Sequence, residues 1–156
     1  MATGDRWYFA YGSNLSKERM QKRTGPIRAA HVAQLKGYRL AFNNTDTDGI
    51  ETYANVVSTS GGVVWGVAYW CSPEALAALD RYERVGDGCY SREVVEIETA
   101  DGECLQADVY IGGQPFTIAE GRPNDWYLQI ILTGAREHGL PAEYIRAIES
   151  LAGRTG

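Results

Sequence analysis

Hydrophobic positions in this chain fall mostly in short runs of strand length, and a few stretches repeat at helical spacing between them. Trp7, Phe9 and Ala10 make a first short strand, and Gly12-Ser13-Asn14 turns it into a helix over Leu15 to Arg23, with Asn14 as cap. Gly12 is read there as supplying backbone angles closed to other residues. After Gly25-Pro26, Ala29 to Leu35 and Tyr38 to Phe42 read as two strands joined tightly at Lys36-Gly37, a hairpin. Asn43 to Thr52 is a polar loop too rich in turn formers to pack, expected on the surface or over a site as a lid. Tyr53 to Val57 and Val63 to Trp70 follow as strands separated by Ser58 to Gly62. The second is apolar almost throughout and is expected in the middle of the sheet.

Ser72-Pro73-Glu74 starts a helix in three residues: an N-cap hydroxyl, a proline at the first helical position and an acid near the positive dipole end. That helix runs to about Glu83, burying Ala75, Leu76, Leu79 and Tyr82 on one stripe, and stops at Val85-Gly86-Asp87-Gly88. Cys89 to Glu98 and Glu103 to Gly112 form a hairpin about Asp101-Gly102, with one face of the second strand buried. Gly113 to Pro123 is a crossing. Asn124 or Asp125 then caps a helix from Trp126 to His138, closed by Gly139, and Pro141 opens a last helix to about Leu151. With no repeat and no linker-like shift of composition, one domain over residues 1–156 is expected. Its strands should form a small mixed β-barrel or strongly curved sheet flanked by helices, an α+β fold.

Composition narrows the partners. A 156-residue chain with 44% hydrophobic residues can fill a core without disulfides or metal. Its net charge of −5 carries no basic run, since Lys17, Arg19, Lys22 and Arg23 read only as the solvated face of the first helix. No nucleic-acid partner is expected. Three cysteines, Cys71, Cys89 and Cys104, lack metal spacing and suit reduced residues in strands, which points to a cytoplasmic location. His31 and His138 lie far apart, so no metal is expected. Met1 to Asp5 is too short and polar for a signal peptide, and no apolar run approaches the roughly 18 residues of a membrane span.

Chemistry has few candidates. No nucleophile elbow, Walker loop or dinucleotide glycine pattern occurs. The strand-to-helix turn at Tyr11-Gly12-Ser13-Asn14 offers unsatisfied N–H groups to a carboxylate or phosphate, or is an ordinary connector. Glu83, ending a helix before a glycine-rich loop, is the most suggestive acid, because the dipole and any burial both raise its pKa. Glu74 is explained by the dipole alone, and Glu93, Glu96 and Glu98 read as a wet strand face. Ten tyrosines are present, and Tyr8, Tyr11, Tyr90, Tyr110 and Tyr127 lie beside strand ends or helix starts. Each fits a core or a polar ligand equally well, and spacing does not rank them.

Taken together, Tyr8-Phe9-Ala10-Tyr11-Gly12-Ser13-Asn14, Val64-Trp65-Gly66-Val67, Leu79-Asp80-x-x-Glu83 and Tyr90 resemble the gamma-glutamylcyclotransferases. The likeness continues through Tyr127 and Gly134-Ala135-x-Glu137-x-Gly139-Leu140-Pro141-x-Glu143-Tyr144, from about Trp7 to Leu151. The Tyr-Gly-Ser-Asn turn is shared with AIG2-like proteins and gamma-glutamylamine cyclotransferases. The C-terminal segment looks more like the branch acting on gamma-glutamyl amino acids. The resemblance implies a small mixed barrel with flanking helices, and a substrate-binding segment from Tyr8 through Phe9, Ala10, Tyr11, Gly12 and Ser13 to Asn14. It further implies Glu83 as catalytic acid/base, Tyr127 reaching the substrate, and no cofactor. The implied partner is a small gamma-glutamyl compound, with a homodimer left open. Residues 43–52 and 113–123 do not match closely. Two rivals remain: a cyclotransferase taking a gamma-glutamyl-amine or a gamma-glutamylated biosynthetic intermediate, and a noncatalytic binding protein on the same scaffold.

Overall fold

A closed five-stranded barrel forms the body of the computed structural model, which describes residues 4–45 and 51–153. Around the barrel stand β1 (Arg6–Ala10), β3 (Thr52–Cys71), β2 (Ala30–Thr45), β4 (Tyr90–Thr99) and β5 (Cys104–Gly112). Neighbours pair antiparallel, except that β1 closes the ring by running parallel to β5 at Trp7 and Tyr8. The α+β barrel expected from the strand pattern is therefore what the chain forms.

Two details depart from expectation. The residues read as a hairpin about Lys36-Gly37 are one strand, β2, and the residues read as two strands about Ser58 to Gly62 are one strand, β3. Both breaks fall at one bulged register shift between these partners: Lys36 pairs with Val63 and Tyr38 with Ser58, so that Gly37, at φ 87°, stands opposite residues 59–62. A left-handed glycine serves a bulge as readily as a turn, and local sequence does not separate the two. The β2–β3 ladder also carries Asn43, Asn44 and Thr45 inside the barrel wall, buried, where a surface loop was expected. Residues 46–50, the rest of most of that expected lid, lie outside the described part. In a closed ring no strand is central, although β3 is flanked on both sides by β1 and β2.

Helices cover the barrel. α1 (Lys17–Thr24) follows a one-turn 3-10 helix, Ser13–Leu15, and its cap is Ser16, whose side chain accepts from Arg19 N. Asn14, the expected cap, is buried and bonded elsewhere. α2 (Pro73–Tyr82) begins as expected at Ser72, which accepts from Ala75 N, and buries Ala75, Leu76 and Leu79. Tyr82, read as part of that stripe, is 53% exposed. α3 (Asp125–Glu137) starts after Asn124 and buries Tyr127, Leu128, Ile131, Leu132 and Ala135, and α4 (Ala142–Leu151) follows Pro141. Gly134 lets α3 lie on the 3-10 turn: a Cβ there would stand 2.3 Å from the Leu15 carbonyl carbon.

One contiguous core joins Phe9, Leu35, Phe42, Leu79, Ile97 and Ile131, so barrel and helices share their apolar filling. Each such side chain contributes roughly 1.5 to 3 kcal/mol by leaving water. No helix among the described residues is long and apolar enough to cross a membrane.

Candidate active site

At one end of the barrel β1 runs out into the Tyr11–Asn14 turn, and the C-terminus of α2 comes down beside it. Between them lies a cavity of about 200 Å³, lined by Tyr8, the turn residues Tyr11 to Asn14, Glu83 and Tyr127 among others. The structure thus brings the turn and Glu83, some seventy positions apart in the chain, to one cavity. Phe9 and Ala10, also expected to bind substrate, are buried in the core and do not line it. They hold β1 in register with β3, where Gly66 makes room for the Ala10 carbonyl at a distance no Cβ would tolerate.

The turn presents donors. Among the described residues, the N–H groups of Gly12, Ser13 and Asn14 make no hydrogen bond, while Leu15 and Ser16 donate back to Gly12 O and Ser13 O. Helix dipole plays little part, because α1 begins only at Lys17. Gly12 has φ −117° and ψ −134°, backbone that belongs to neither the strand nor the helix region. A Cβ there would stand in ordinary contact with Ala54 at 3.4 Å and with the Tyr127 hydroxyl at 3.5 Å, taking up space at the cavity wall.

Glu83 caps α2, its side chain 19% exposed, and no hydrogen bond reaches its carboxylate among the described residues. Burial pushes its pKa up to about 6 from an ordinary 4.5, while the Arg23 and Arg19 guanidinium groups pull the other way. Asp80, one turn back, anchors the end of α2: it accepts from Tyr110 Oη at 2.7 Å and pairs with Arg92 at 3.0 Å. Asp108, buried on β5, pairs in turn with Arg6 at 2.6 Å and Arg92 at 3.6 Å. These links tie α2 to three strands and bury the polar side of β5, which was expected to face water.

Hydrogen bonds now rank the tyrosines. Tyr11 donates to Tyr110 O at 2.6 Å and Tyr90 to Ala54 O at 2.6 Å, so both hydroxyl protons are used in holding the walls together. Tyr8 accepts from Asn14 Nδ2 at 2.9 Å and Tyr127 accepts from Ala54 N at 3.0 Å. Each of these two keeps its own proton for a ligand. Burial raises the pKa of all four, which keeps them protonated donors at neutral pH.

Two residues escaped the sequence reading. Arg19 and Arg23, taken as part of the solvated face of α1, both line the cavity. Arg23, its side chain 13% exposed, donates to Asn14 Oδ1 at 3.2 Å, stands 3.9 Å from Glu83 and lies over the Tyr82 ring. The available signal was their four-residue spacing, which sets both on one stripe with Met20 beside it. Among the described residues no group of three His, Cys, Asp or Glu side chains is placed to hold a metal ion.

Comparison with known proteins accords with this arrangement. The AIG2-like family model matches residues 63–148. A gamma-glutamylcyclotransferase from Homo sapiens is 34% identical over 149 residues, covering 91% of this chain and 78% of that protein. One from Bos taurus is 33% identical over 148 residues, covering 92% and 77%. A solved structure of a gamma-glutamyl cyclotransferase superposes with a TM-score of 0.84 at 31% identity, over 94% of this chain and 87% of the other. On likeness that spans both the turn and the helix bearing Glu83, this chain belongs to the gamma-glutamylcyclotransferase family.

Proposed function

We propose that this chain is a gamma-glutamylcyclotransferase that releases 5-oxoproline from gamma-glutamyl compounds, with Glu83 as the acid/base. The observation that carries this reading is the meeting of a buried carboxylate, its pKa pushed up to about 6, with a turn of three unbonded N–H groups in one cavity. A gamma-glutamyl compound contains its own nucleophile, the α-amine, which closes a five-membered ring on the γ-carbonyl. The protein need only fold the substrate, move protons and stabilise charge, so no serine or cysteine nucleophile is required.

In this reading the turn N–H groups take the α-carboxylate and Glu83 faces the α-ammonium. Glu83 removes a proton, and the freed amine attacks the γ-carbonyl carbon. The Tyr127 hydroxyl, whose proton is uncommitted, donates to the developing oxyanion. As the amide C–N bond breaks, Glu83 returns a proton to the departing nitrogen. In all the glutamyl nitrogen gives up two protons and the departing nitrogen gains two, and Glu83 ends as it began. A site for both roles suits a carboxyl near pH 6, basic enough to accept and acidic enough to return. No disulfide joins the three cysteines among the described residues, which fits a reducing, cytoplasmic setting.

The test is a panel of gamma-glutamyl amino acids, gamma-glutamyl amines and glutathione, assayed for 5-oxoproline with the wild-type protein and with Glu83→Gln. Release by wild type and its loss in the variant are expected. Absence of 5-oxoproline from every compound would leave a binding protein on this scaffold as the reading.

A further inference from the structure

Arg19 holds no part of the glutamyl head and moves no proton in the reaction just described, acting on it only through its charge near Glu83, yet it occupies the same cavity. Its Nε is buried and has no hydrogen-bond partner, although the side chain as a whole is half-buried. A guanidinium donor shut away from water without an acceptor is costly, and native structures place such a group where something else completes it. Arg23, one turn along α1, is already engaged with Asn14 and Glu83. The two cations also repel each other: burial and then Arg23 push the Arg19 pKa down from its ordinary value. An anion at Arg19 relieves both effects.

Charge balance and geometry say which anion. A bound glutamyl head brings one carboxylate and one ammonium, and the Glu83 carboxylate faces Arg23, so these charges cancel in pairs. Arg84 stands exposed at the rim, where solvent screens it. Arg19 alone is left over inside. Arg19, Tyr53, Trp126 and Tyr127 line the same cavity, where the Tyr53 ring meets Tyr127 edge-on at 5.2 Å and the half-exposed Trp126 meets it at 6.0 Å. With the turn and Glu83 taken by the glutamyl head and the γ-carbonyl at the Tyr127 hydroxyl, Arg19 is the uncompleted cation left in the cavity for the departing group.

We propose that Arg19 is a specificity-determining residue that reads a carboxylate on the departing group, with Tyr53 and Trp126 forming the apolar wall beside it. This rests on the cyclotransferase reading above and assigns the side of the cavity that the glutamyl head leaves empty. Arg19 pairs with the carboxylate in substrate and transition state alike, so it acts mainly through KM. Discrimination comes from comparing two departing groups alike except for the carboxylate.

The experiment measures 5-oxoproline release from a gamma-glutamyl amino acid and from the matching gamma-glutamyl amine, which lacks only the carboxylate. Wild type, Arg19→Gln and Arg19→Lys are compared. For Arg19→Gln the expected result is a fall in kcat/KM on the amino acid of about 10- to 100-fold, the worth of a charge-assisted hydrogen bond, borne by KM. Measured near pH 8, above the Glu83 titration, where loss of the Arg19 charge leaves Glu83 ionised, turnover of the amine stays within about twofold, which also shows that the variant is folded. Arg19→Lys, keeping the charge but not the fork, recovers part of the loss. An equal fall on both substrates would overturn the proposal, placing Arg19 on the shared glutamyl head or in support of the fold, and no change on either would do so too. If wild type releases 5-oxoproline from neither compound, the reaction itself fails, an outcome distinct from a parallel loss in the variants.

Discussion

The β4–β5 hairpin has two ends built on different principles. At its turn, about Asp101-Gly102, the bonds that shape the loop run between near neighbours: Gly102 N donates to Thr99 O at 2.9 Å, Glu103 N to Thr99 Oγ1 at 3.1 Å, and Gly102 takes φ 88°. At the cavity end side-chain bonds reach remote partners: Tyr90 donates to Ala54 O, Tyr110 to Asp80, and Gly112 N to Asn55 Oδ1 at 2.7 Å, across 30 to 57 positions. The turn end is solvated and its charged pair, Lys36 with Glu98, is exposed. Such a pair is worth at most about 1 kcal/mol. The cavity end buries hydroxyls, carboxylates and guanidinium groups together, where each missing partner is costly. A folded chain can tolerate that cost where the uncompleted groups are the ones that meet a ligand.

Breaking the cavity end should destroy activity more than stability, and Glu83→Gln should do so most. Turnover falls by roughly 10² to 10⁴, the usual contribution of general acid–base catalysis. In wild type, activity should rise with pH through about 6 as Glu83 becomes the carboxylate base, and this limb should vanish in the variant. Linkage has the opposite sign for stability. Because the folded carboxyl titrates at about 6 rather than 4.5, the native state holds the extra proton between these values. Unfolding free energy therefore falls as pH rises through that window, by about 2 kcal/mol in all. Glu83→Gln escapes this loss, so its Tm should exceed that of wild type at pH 8 and match it near pH 4. A variant less stable than wild type at pH 8 would contradict a carboxyl strained by burial.

Tyr127→Phe comes next, because it removes both the uncommitted donor and the acceptor for Ala54 N. Turnover should drop about 10² to 10³, the cost of one oxyanion donor, and stability by about 1 to 3 kcal/mol for the stranded N–H. Steady-state kinetics and denaturant melts read the two separately. Gly12→Ala has a smaller effect. Its Cβ makes only ordinary contacts, but ψ −134° lies outside the strand and helix regions, so Tm should fall by about 2 to 4 °C while kcat/KM falls roughly tenfold as the methyl narrows the cavity wall. At the other end of the hairpin, Gly102→Ala forces a side chain into the left-handed region. It should cost about 1 kcal/mol, a Tm decrease of roughly 2 to 4 °C, with kcat and KM unchanged. Loss of activity in that variant would remove the contrast between the two ends.

Local chemistry in the sequence determined a good part of this protein. Ser72-Pro73 started α2, Asp101-Gly102 turned the hairpin, and apolar runs of strand length marked a barrel or curved sheet, because each of these depends on residues a few positions apart. The Tyr8 to Asn14 motif and Glu83 were legible as candidates for the same reason. Tertiary structure alone decided the rest. The Gly37 bulge needed its partner strand to distinguish it from a turn, and Asn43 and Asn44 became buried only because barrel closure enclosed them. Arg19 and Arg23 looked like solvated charges until α1 packed beside α2 and carried them to Glu83. The tyrosines could not be ranked from spacing, since which hydroxyl keeps its proton depends on acceptors such as the Ala54 and Tyr110 carbonyls, far away in the chain. Periodicity reports which side of an element is apolar; what a polar group meets is set by the other elements that close over it.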